Sequence, residues 1–514
     1  MKPSTELHDL IRSLTKSERR YFKLHSGLQG GPKNYMRIFD AIDEQPAYDE
    51  DALREKFKNE KFLKHFPSEK NHLYQLIMNA LRAYHAESSI SGILKLEIKS
   101  IEILYRKALY TECNKTLHRA KRIARENEKF YYWFELLNWE KSLLEEAYES
   151  GEFTKDLDAL IQEEADVIER LRNLAAYHVL YSKINYVFRS GGYVRSDEEH
   201  AMVEEIREHP LIKGKNTALS KRAATICFYT QGFCNWAKRD WKASLEKFSR
   251  AKEILDGRPE IKADLAKRYV RTLHYIVNCH IELGQFAEAR TGIDELHALE
   301  GAEGFGGRDL ETQLALARHL SELRLFDRSG YHTGALPKIE AILHDMERFS
   351  PSMHKEHELE LQFSLCCVYF GAGEMNKSLL WLNKVINDNE QTLRQDIFSY
   401  ARLVNLVVHF ELGNYELLEY ITRSAQRFLN KHHRADRMEV LLIDKMRKLG
   451  RAKTPLARRE LFKELQLEIQ QLLKDPNEGV VLKYVDILAW ADSKVRNISF
   501  SEAVKRSKAE TAKV

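Results

Sequence analysis

The chain has 514 residues, of which only 10 are prolines and 23 are glycines, and this scarcity of helix breakers favours closely packed helices. Apolar residues make up 43% and charged residues 31%, which excludes a disordered chain and predicts a soluble, folded protein. The net charge of +4, from 81 basic and 77 acidic residues, predicts by itself neither a nucleic acid nor a membrane partner.

Two absences in the sequence predict a cytoplasmic protein that does not enter a membrane. The first 20 residues lack the apolar core of a signal peptide, and no stretch approaches 18 uncharged apolar residues. The six cysteines form no CxxC pair and have no histidine at metal-ligand spacing. Because cysteine is among the residues most often buried, we interpret them as buried thiols in a reducing compartment.

Residues 1–90 are predicted to form a helical module that precedes a series of repeats. After a first short helix, Thr15 and Glu18 form a capping box for a second one. Asn34 begins a third helix, a short one follows, and residues 68–86 form the strongest helix, with an apolar stripe at helical spacing. This order of helices allows a helix-turn-helix or winged-helix frame.

Four polar side chains of the last module helix share one face, because Asn71, Gln75, Asn79 and Arg82 follow the spacing i, i+4, i+8 and i+11. Amides and arginine are residue types that read base edges in a major groove, so this face is a candidate nucleic-acid surface. Against it, the linker KNEKFLKHFPS is far longer than the turn of a helix-turn-helix motif. The alternative is a solvent-facing stripe or a surface that docks on the first repeat.

From about residue 90 onward, one signature recurs every 40 to 48 residues. Its anchors, mostly glycines, are Ala108, Gly151, Gly191, Arg239, Gly284, Gly330, Gly373 and Gly413. A large side chain stands two residues after each anchor, and mostly apolar or small ones stand nine and twelve residues after it. These offsets fall on one face of a helix that begins just after the anchor. Each anchor is therefore predicted to mark the turn between helix A and helix B of a pair.

The repeats resemble those of the tetratricopeptide family, in which an aromatic residue early in helix B precedes a small, a bulky and another small or apolar residue. Here Trp241, Ser244, Phe248 and Ala251 stand in this order, with Phe228 and Gly232 upstream. Equivalent residues recur at Phe286, Ala289, Ile293 and Leu296, and at Ser378, Leu382 and Val385. The resemblance covers roughly residues 90–430, with a period longer than the family's usual value of about 34. It implies that the A helices line a concave face that binds a peptide or protein segment.

The predicted fold is all-α. A single repeat cannot bury its apolar face alone, so neighbouring pairs must stack into a solenoid. We expect a right-handed α-solenoid of about eight or nine tetratricopeptide-like hairpins over residues 91–430. A helical cap is expected over residues 431–496, and a polar tail over residues 497–514 that frays beyond residue 507.

Two aromatic clusters are candidates for a partner-binding groove. The segment FYYWFELLNW includes Tyr131 and Phe134, and a later helix carries Tyr229, Phe233 and Trp236. Consecutive aromatic residues cannot all face the core, because neighbours in a helix diverge by about 100°. Some of these rings are therefore expected to contact a partner helix or peptide. The alternative is that they supply core area alone.

No motif in the sequence predicts a reaction, a metal or a cofactor. His354, His357 and Glu358 stand in the order HxxHE, which lacks the HExxH arrangement that a zinc protease needs. The glycines of residues 301–307 follow a predicted helix rather than a strand, so we interpret them as a linker and not as a phosphate loop. We therefore expect a non-enzymatic protein without cofactors.

Charge is concentrated in two opposite runs. Residues 140–170 hold 11 acidic and three basic side chains, whereas residues 427–459 hold 11 basic and three acidic ones. The basic run includes Arg434, Arg437, Arg447, Lys448 and Arg451. Two such runs favour electrostatic steering of a partner or head-to-tail self-association, and the alternative for each run is a solvated face.

The sequence thus predicts a cytoplasmic scaffold or adaptor that binds a peptide or protein segment on the concave face of the solenoid. The alternative is a regulator in which residues 1–90 bind nucleic acid while the repeats sense a partner. Stretched repeats of a similar kind follow small helical modules in peptide-responsive bacterial regulators. A membrane is not an expected partner, and self-association stays open.

Overall fold

A computed structural model describes residues 5–27, 34–149, 157–189, 193–194, 196–432 and 434–511. These residues form 26 α-helices and four short 3₁₀ helices and contain no strand, which confirms the prediction of an all-α fold. The chain divides into two compact units, residues 1–168 and 169–514. In the repeat region of each unit, successive helices pack on their neighbours, as in a helical-repeat solenoid.

The first unit begins with a module of five α-helices and one 3₁₀ helix. They are α1 (Glu6–Ser13), α2 (Lys16–Gly27), α3 (Asn34–Asp43), α4 (Glu50–Lys56), a 3₁₀ helix (Lys61–His65) and α5 (Phe66–Tyr84). Their apolar faces meet in a small core of their own, in which Phe22, Phe39 and Phe66 are fully buried. The predicted capping box is confirmed, because the N–H of Thr15 donates to Glu18 Oε2 at 2.7 Å and the N–H of Glu18 donates to Thr15 Oγ1 at 3.2 Å.

The remainder of the first unit starts the repeats. It consists of α6 (Ile90–Arg106), α7 (Tyr110–Glu126), α8 (Phe130–Glu149) and the first part of α9 (Leu157–Arg189). Helix α7 packs against both α6 and α8. Its Lys121 joins the next two helices, since Nζ lies 2.5 Å from a carboxylate oxygen of Glu140 and 2.9 Å from one of Glu163. Part of the acidic run is therefore engaged in ion pairs within this unit.

The second unit contains the rest of α9 and seventeen further α-helices. Its first half holds α10 (Asp197–Glu208), α11 (Pro210–Lys213), α12 (Lys221–Ala237), α13 (Trp241–Asp256), α14 (Pro259–Asp264), α15 (Ala266–Glu282), α16 (Phe286–Ala298) and α17 (Arg308–Ser329). Its second half holds a 3₁₀ helix (His332–Lys338), α18 (Ile339–Phe349), a 3₁₀ helix (Ser350–Ser352), α19 (Lys355–Gly371), α20 (Met375–Ile386), α21 (Gln395–Glu411), α22 (Tyr415–Lys431), α23 (Arg437–Arg451), α24 (Pro455–Leu472), a 3₁₀ helix (Pro476–Lys483), α25 (Ile487–Arg496) and α26 (Phe500–Thr511). The A helices α15, α17, α19 and α21 pack in sequence, and each is followed by its B partner.

The predicted anchors are confirmed as the turns between paired helices at the six positions that the structure describes. Each of them has a positive φ, namely Ala108 (57°), Arg239 (62°), Gly284 (74°), Gly330 (69°), Gly373 (82°) and Gly413 (76°). In each turn the N–H that follows the anchor donates to the carbonyl oxygen four residues before the anchor, at 2.8–3.0 Å, as in a Schellman motif. Left-handed backbone favours glycine, which explains why four of the six are glycines. The anchors Gly151 and Gly191 lie outside the described residues.

The residues that follow each anchor bury one face of helix B. After the six described anchors, the positions nine and twelve residues later are all buried, namely Leu117, Phe248, Ile293, Ile339, Leu382 and Thr422, and Ala120, Ala251, Leu296, Ile342, Val385 and Ala425. After Gly151 and Gly191 the predicted pattern is incomplete, because Leu160 and Val203 are buried whereas Glu163 is half-buried and His200 is exposed. The position five residues after the anchor lets the two helices approach closely. Ser244 there donates from Oγ to the carbonyl oxygen of Gly232 at 2.7 Å. A Cβ on Gly232 would lie 2.6 Å from the ring of Phe248, so this approach requires glycine.

The repeat that starts at Gly330 departs from the pattern. A 3₁₀ helix leads into α18 in place of a full helix B, because Pro337 lies in this stretch and cannot donate a backbone hydrogen bond. The side chain of His332 is completely buried there, with Nδ1 2.8 Å from Oγ of Ser501 in α26. The C-terminal helix therefore covers this shortened repeat.

The chain between α24 and α25 packs against the A helices. The guanidinium group of Arg328 in α17 donates to the carbonyl oxygen of Leu482 at 3.0 Å. The ring of Tyr484 stacks on that of Tyr400 in α21, with the centroids 4.0 Å apart. Residues 476–485, named here the C-terminal segment, thus connect α17 with α21.

The tail over residues 497–514 contains a helix. Helix α26 packs on α25 and α17 and buries Ala503 and Val504. It continues to Thr511, whereas the sequence predicted fraying beyond residue 507. Burial of one apolar face explains why this polar stretch stays helical.

Candidate ligand-binding cavity

A cavity of about 610 Å³, named here the inner cavity, lies between helices α9, α12, α15, α17, α19 and α21 of the second unit. The residues that line it recur at the same positions of successive repeats. The positions ten and six residues before four successive anchors all line it, namely Tyr229 and Phe233, His274 and Asn278, Leu320 and Arg324, and Phe363 and Cys367. Since these offsets lie on one face of helix A, four A helices direct equivalent positions toward one space.

One wall of the inner cavity is aromatic. Tyr229, Phe233 and Trp236 stand at i, i+4 and i+7 on α12, so they share a face, and the structure brings all three to the cavity. The ring of Phe233 lies 4.6 Å from that of Tyr229 and 4.8 Å from that of Tyr275. Such edge-to-face contacts hold the rings in place. The three α12 residues are 1–5% exposed, so they serve both as core and as cavity wall.

A buried carboxylate fixes the C-terminal segment beside the cavity. Glu282, at the end of α15, has carboxylate oxygens 2.8 Å from Arg324 and 2.5 Å from Lys483. Burial by itself would raise the pKa of Glu282, but the positive charges of Lys483 and Arg324 hold it well below its usual range. The carboxylate is therefore ionised at neutral pH and pairs with both cations.

A second charge cluster joins α19, α21 and the C-terminal segment. Arg394 donates to both carboxylate oxygens of Asp396, at 3.0 and 2.8 Å, and to Glu360 at 3.1 Å. Burial by itself would raise the pKa of Asp396, yet Arg394 and the hydroxyl of Tyr484 lower it. These groups satisfy one another, so they form a fixed part of the cavity wall.

Two histidines at the cavity are held in the neutral form. Burial lowers the pKa of His274 to about 4, and it lowers the pKa of His357 as well. Nδ1 of His274 lies 2.9 Å from Oγ of Ser321, and its Nε2 lies 3.0 Å from the amide nitrogen of Asn278. Neutral imidazoles offer one donor and one acceptor each without adding charge.

Several buried polar atoms of the lining residues have no hydrogen-bond partner in the described part of the chain. They are Tyr229 Oη, Asn278 Oδ1, Gln313 Oε1 and His357 Nδ1. A buried polar atom without a partner costs about 1–3 kcal/mol. A bound molecule with complementary polar groups would recover part of this cost, which makes the cavity a candidate ligand site.

The aromatic cluster in the segment FYYWFELLNW lies outside the inner cavity. Tyr131 on α8 is 67% exposed and Phe134 is half-buried, and neither lines the inner cavity. Between them Trp133 is buried, and its Nε1 donates to Glu163 at 2.7 Å. This cluster therefore contributes to the core of the first unit and leaves one ring open to solvent.

The four polar residues of α5 form an exposed stripe, comprising Asn71, Gln75, Asn79 and Arg82. The guanidinium group of Arg82 donates to Oδ1 of Asn79 at 2.7 Å and to the carbonyl oxygen of Met78 at 3.2 Å. Arg82 is thus held against its own helix, and the stripe is open to a partner.

The basic run at 427–459 is largely engaged within the second unit. Of the five residues singled out, Arg434 is buried, Arg437 is exposed, Arg447 donates to Gln426, Lys448 lies 2.8 Å from Asp444 and Arg451 lies 2.9 Å from Glu419. An acidic partner would therefore compete with contacts that these side chains already make.

No known protein family matches the sequence, and no match was found among curated proteins. None of the described helices combines the length and apolar character needed to cross a membrane. Within the same residues, no three side chains of His, Cys, Asp or Glu come together as metal ligands would. The function therefore has to be inferred from the geometry of the cavity.

Sequence analysis missed most of the charged residues around the inner cavity. Arg324 and His274 stand six and ten residues before their anchors, so counting back from the anchors would have found both. Lys483 and Tyr484 offer no such signal, because they belong to the C-terminal segment, which lies outside the repeats.

Proposed function

We propose that this chain is a cytoplasmic, non-enzymatic scaffold or adaptor that holds a peptide or protein segment in the inner cavity. The observation that carries the proposal is the convergence of equivalent positions from four successive A helices on one cavity with an aromatic wall. Its volume of about 610 Å³ falls within the range of about 300–1,000 Å³ that is common for ligand sites. This space suits a few residues of an extended segment rather than a whole helix.

Features that resemble tetratricopeptide repeats support the proposal. In three repeats the side chain five residues after the anchor donates to a carbonyl oxygen of helix A, namely Cys113 to Ile101 at 3.6 Å, Ser244 to Gly232 at 2.7 Å and Ser378 to Cys366 at 3.0 Å. This recurring contact fits repeats of one design. The family's A helices line its ligand-binding face, and here A helices line the cavity.

The lining residues define the kind of segment that would fit. Tyr229, Phe233 and Tyr275 offer aromatic surface to an apolar or aromatic side chain. The unpartnered Oδ1 of Asn278 and Nδ1 of His357 offer polar atoms that suit the amide groups of an extended backbone. Two of the three lining carboxylates, Asp327 and Glu360, are paired with Arg328 and Arg394, so we expect the bound residues to be largely uncharged.

Peptide display on the full-length protein tests this proposal. Peptides of about 12 residues are selected on the protein and titrated calorimetrically into the wild type, Ser364→Trp and Ser100→Trp. Ser364 lines the inner cavity, and a tryptophan there fills it. Ser100 is a matched control, because it is exposed and donates to the carbonyl four residues earlier, at 2.9 Å, just as Ser364 does at 2.8 Å.

We expect saturable binding that Ser364→Trp weakens by at least about tenfold, equivalent to about 1.4 kcal/mol, and that Ser100→Trp leaves unchanged. Thermal melting of both variants establishes that each is folded before binding is compared. A selection that yields no binding peptide, or equal binding by Ser364→Trp, contradicts the proposal.

The exposed stripe on α5 supports a second candidate function, nucleic-acid recognition by the N-terminal module. If this is correct, the full-length protein retards duplex DNA in a gel at physiological salt. Arg82→Ala then reduces discrimination between sequences more than total affinity, and Arg12→Ala, at an exposed arginine of α1, changes neither. Absence of retardation removes this candidate and leaves the scaffold.

Self-association through the two charged runs is a separate proposal. The acidic run 140–170 and the basic run 427–459 have complementary charge, and such contacts weaken as salt screens them. Sedimentation at low and at high salt tests this proposal. A molecular mass that does not differ between the two salt concentrations excludes it.

A further inference from the structure

A second cavity, of about 580 Å³, lies beside the inner cavity and is named here the rim cavity. It is formed by the end of α14, by the N-terminal turns of α15 and α17, and by Gly304, Gly306 and Gly307. Tyr181, Tyr229 and Arg271 line both cavities, so the two are neighbours. All of these elements belong to the second unit.

The glycine-containing loop before α17, interpreted as a linker from the sequence, is a wall of the rim cavity. Gly304 has a φ of 80°, and a Cβ on it would lie 2.7 Å from Cβ of Ala263. Gly307 is the N-cap of α17, with a φ of 103°. Glycine at position 304 lets the loop backbone approach α14 closely, and the positive φ at both positions favours glycine in this wall of the cavity.

The carboxylates at the rim cavity are already paired. Asp264 lies 2.6 Å from Arg222, and Asp309 forms an ion pair with Lys267. These pairs leave no negative charge of the lining to balance its remaining cations.

Three arginines supply the remaining positive charge, and they are Arg268, Arg271 and Arg308. Among the described residues none of the three has a carboxylate at ion-pair distance. Arg268 and Arg271 stand three residues apart on α15, so they project from the same face. Burial lowers the pKa of Arg268, Tyr229 and Tyr181 oppose this shift, and the positive charges of Arg222 and Arg271 add to it. An anion between the two guanidinium groups would offset this repulsion.

Two further groups at the rim cavity favour an anion. The hydroxyl of Tyr229 is buried, in a residue that is 1% exposed, and has no hydrogen-bond partner in the described chain. The first turn of α17, a helix of 22 residues, contributes Arg308–Leu310 to the lining. The N–H groups at such a helix start attract negative charge.

We propose that the rim cavity binds a phosphate monoester group, whose oxygens accept hydrogen bonds from the guanidinium groups of Arg268 and Arg271 and from the hydroxyl of Tyr229. Donors from three side chains suit the three terminal oxygens of this group, and the two guanidinium charges match its dianionic form. A small metabolite or a phosphorylated side chain of a segment in the inner cavity can carry the same group. The site itself does not depend on the peptide proposal.

Calorimetric titration of the full-length protein tests this site, with the amide of N-acetyl-O-phosphoserine as the probe. The amide of N-acetylglutamate serves as a carboxylate control, at about 0.15 M salt to screen weak surface binding. The variants are Arg268→Gln, Arg271→Gln and Tyr229→Phe. The control variant is Arg250→Gln, at an exposed arginine of α13 that pairs with Glu253 at 2.9 Å.

We expect saturable binding of the phosphoserine probe by the wild type and by Arg250→Gln. Each of the other arginine variants weakens it by at least about tenfold, and Tyr229→Phe by about threefold to tenfold. Arg271→Gln keeps the test decisive if Arg268→Gln fails to fold, because Arg271 is open to solvent. Absence of saturable binding by the wild type, full binding by Arg271→Gln, or equal binding of the glutamate control overturns the proposal.

A second arm identifies the source of the group. A phosphoserine is added to a peptide that binds the inner cavity, and its affinity is compared with that of the free probe in the wild type and in Ser364→Trp. If the phosphorylated peptide binds more tightly than the free probe, and Ser364→Trp abolishes this difference while the free probe still binds, the group belongs to a bound segment. An equal affinity of peptide and free probe assigns it to a small metabolite. If no peptide is selected at all, the peptide proposal fails while the free probe still reports on the rim cavity.

Discussion

The hydroxyl of Tyr484 donates a hydrogen bond of 2.7 Å to Oδ2 of Asp396, a residue 88 positions earlier in the chain. Asp396 is 1% exposed and also accepts a hydrogen bond from Arg394. The tyrosine therefore adds a second hydrogen-bond donor to a buried carboxylate. Through this bond the C-terminal segment is attached to the start of α21 at the wall of the inner cavity.

Removing this hydroxyl is expected to destabilise the second unit. Because a hydrogen bond to a charged group contributes about 1.5–3 kcal/mol, Tyr484→Phe should lower the free energy of unfolding by that amount. Urea titration followed by circular dichroism measures it. Tyr420→Phe is the control, since Tyr420 is 70% exposed. Equal midpoints for both variants would show that the bond contributes nothing.

The close approach of α12 and α13 gives a second prediction. Phe248 is 0% exposed, so Phe248→Ala should cost about 3–5 kcal/mol. Gly232→Ala should cost about 1–3 kcal/mol, because its Cβ would press on the Phe248 ring. Once the ring is gone the added methyl has room, so the cost of the double variant should be less than the sum of the single costs. Additive costs in urea unfolding would contradict this packing.

The left-handed anchors predict opposite effects for two reciprocal substitutions. Ala108→Gly should raise the free energy of unfolding by about 0.5–1 kcal/mol, since Ala108 has a φ of 57°. Gly413→Ala should lower it by about 1–2 kcal/mol, and the cost is purely conformational because no atom lies within 4 Å of the new Cβ. Denaturant midpoints that move in the same direction for both variants would exclude the assigned backbone.

The sequence alone predicted the elements that depend on local spacing. The turns at Gly284 and Gly413, and the burial of Phe248, follow from a period that each hairpin repeats. It did not predict the contact of Lys483 with Glu282, which joins residues 201 positions apart. No periodicity links such residues, since the path of the C-terminal segment depends on the packing of the completed unit.

The same reason explains what was missed at the inner cavity. Tyr229 and Phe233 were singled out because aromatic residues cluster visibly in one helix. His274 and Arg324 occupy equivalent positions in later repeats, yet their residue types differ, so composition does not reveal the shared face. The equivalent positions of these helices face the same cavity, whereas the residue types at those positions differ.

Acid is expected to destabilise the second unit through Glu282. Its pKa in the folded state lies below the ordinary value of 4.5, so its contribution is fully present above that pH and is lost as the pH falls below it. Glu282→Gln should cost about 3–5 kcal/mol at pH 7, because it leaves Arg324 and Lys483 without their partner. The difference between wild type and variant should shrink between pH 5 and pH 2, near and below the ordinary pKa of 4.5. A constant difference in urea unfolding over that range would exclude this role.

The measurement that tests the central claim most directly is photochemical mapping of a bound peptide. A peptide selected on the full-length protein carries a benzophenone side chain, and mass spectrometry locates the adduct after irradiation. Binding in the inner cavity predicts adducts on α12 and α15, at or near Phe233 and Tyr275, and their loss in Ser364→Trp. Adducts confined to α5 or to residues 427–459 would contradict the account.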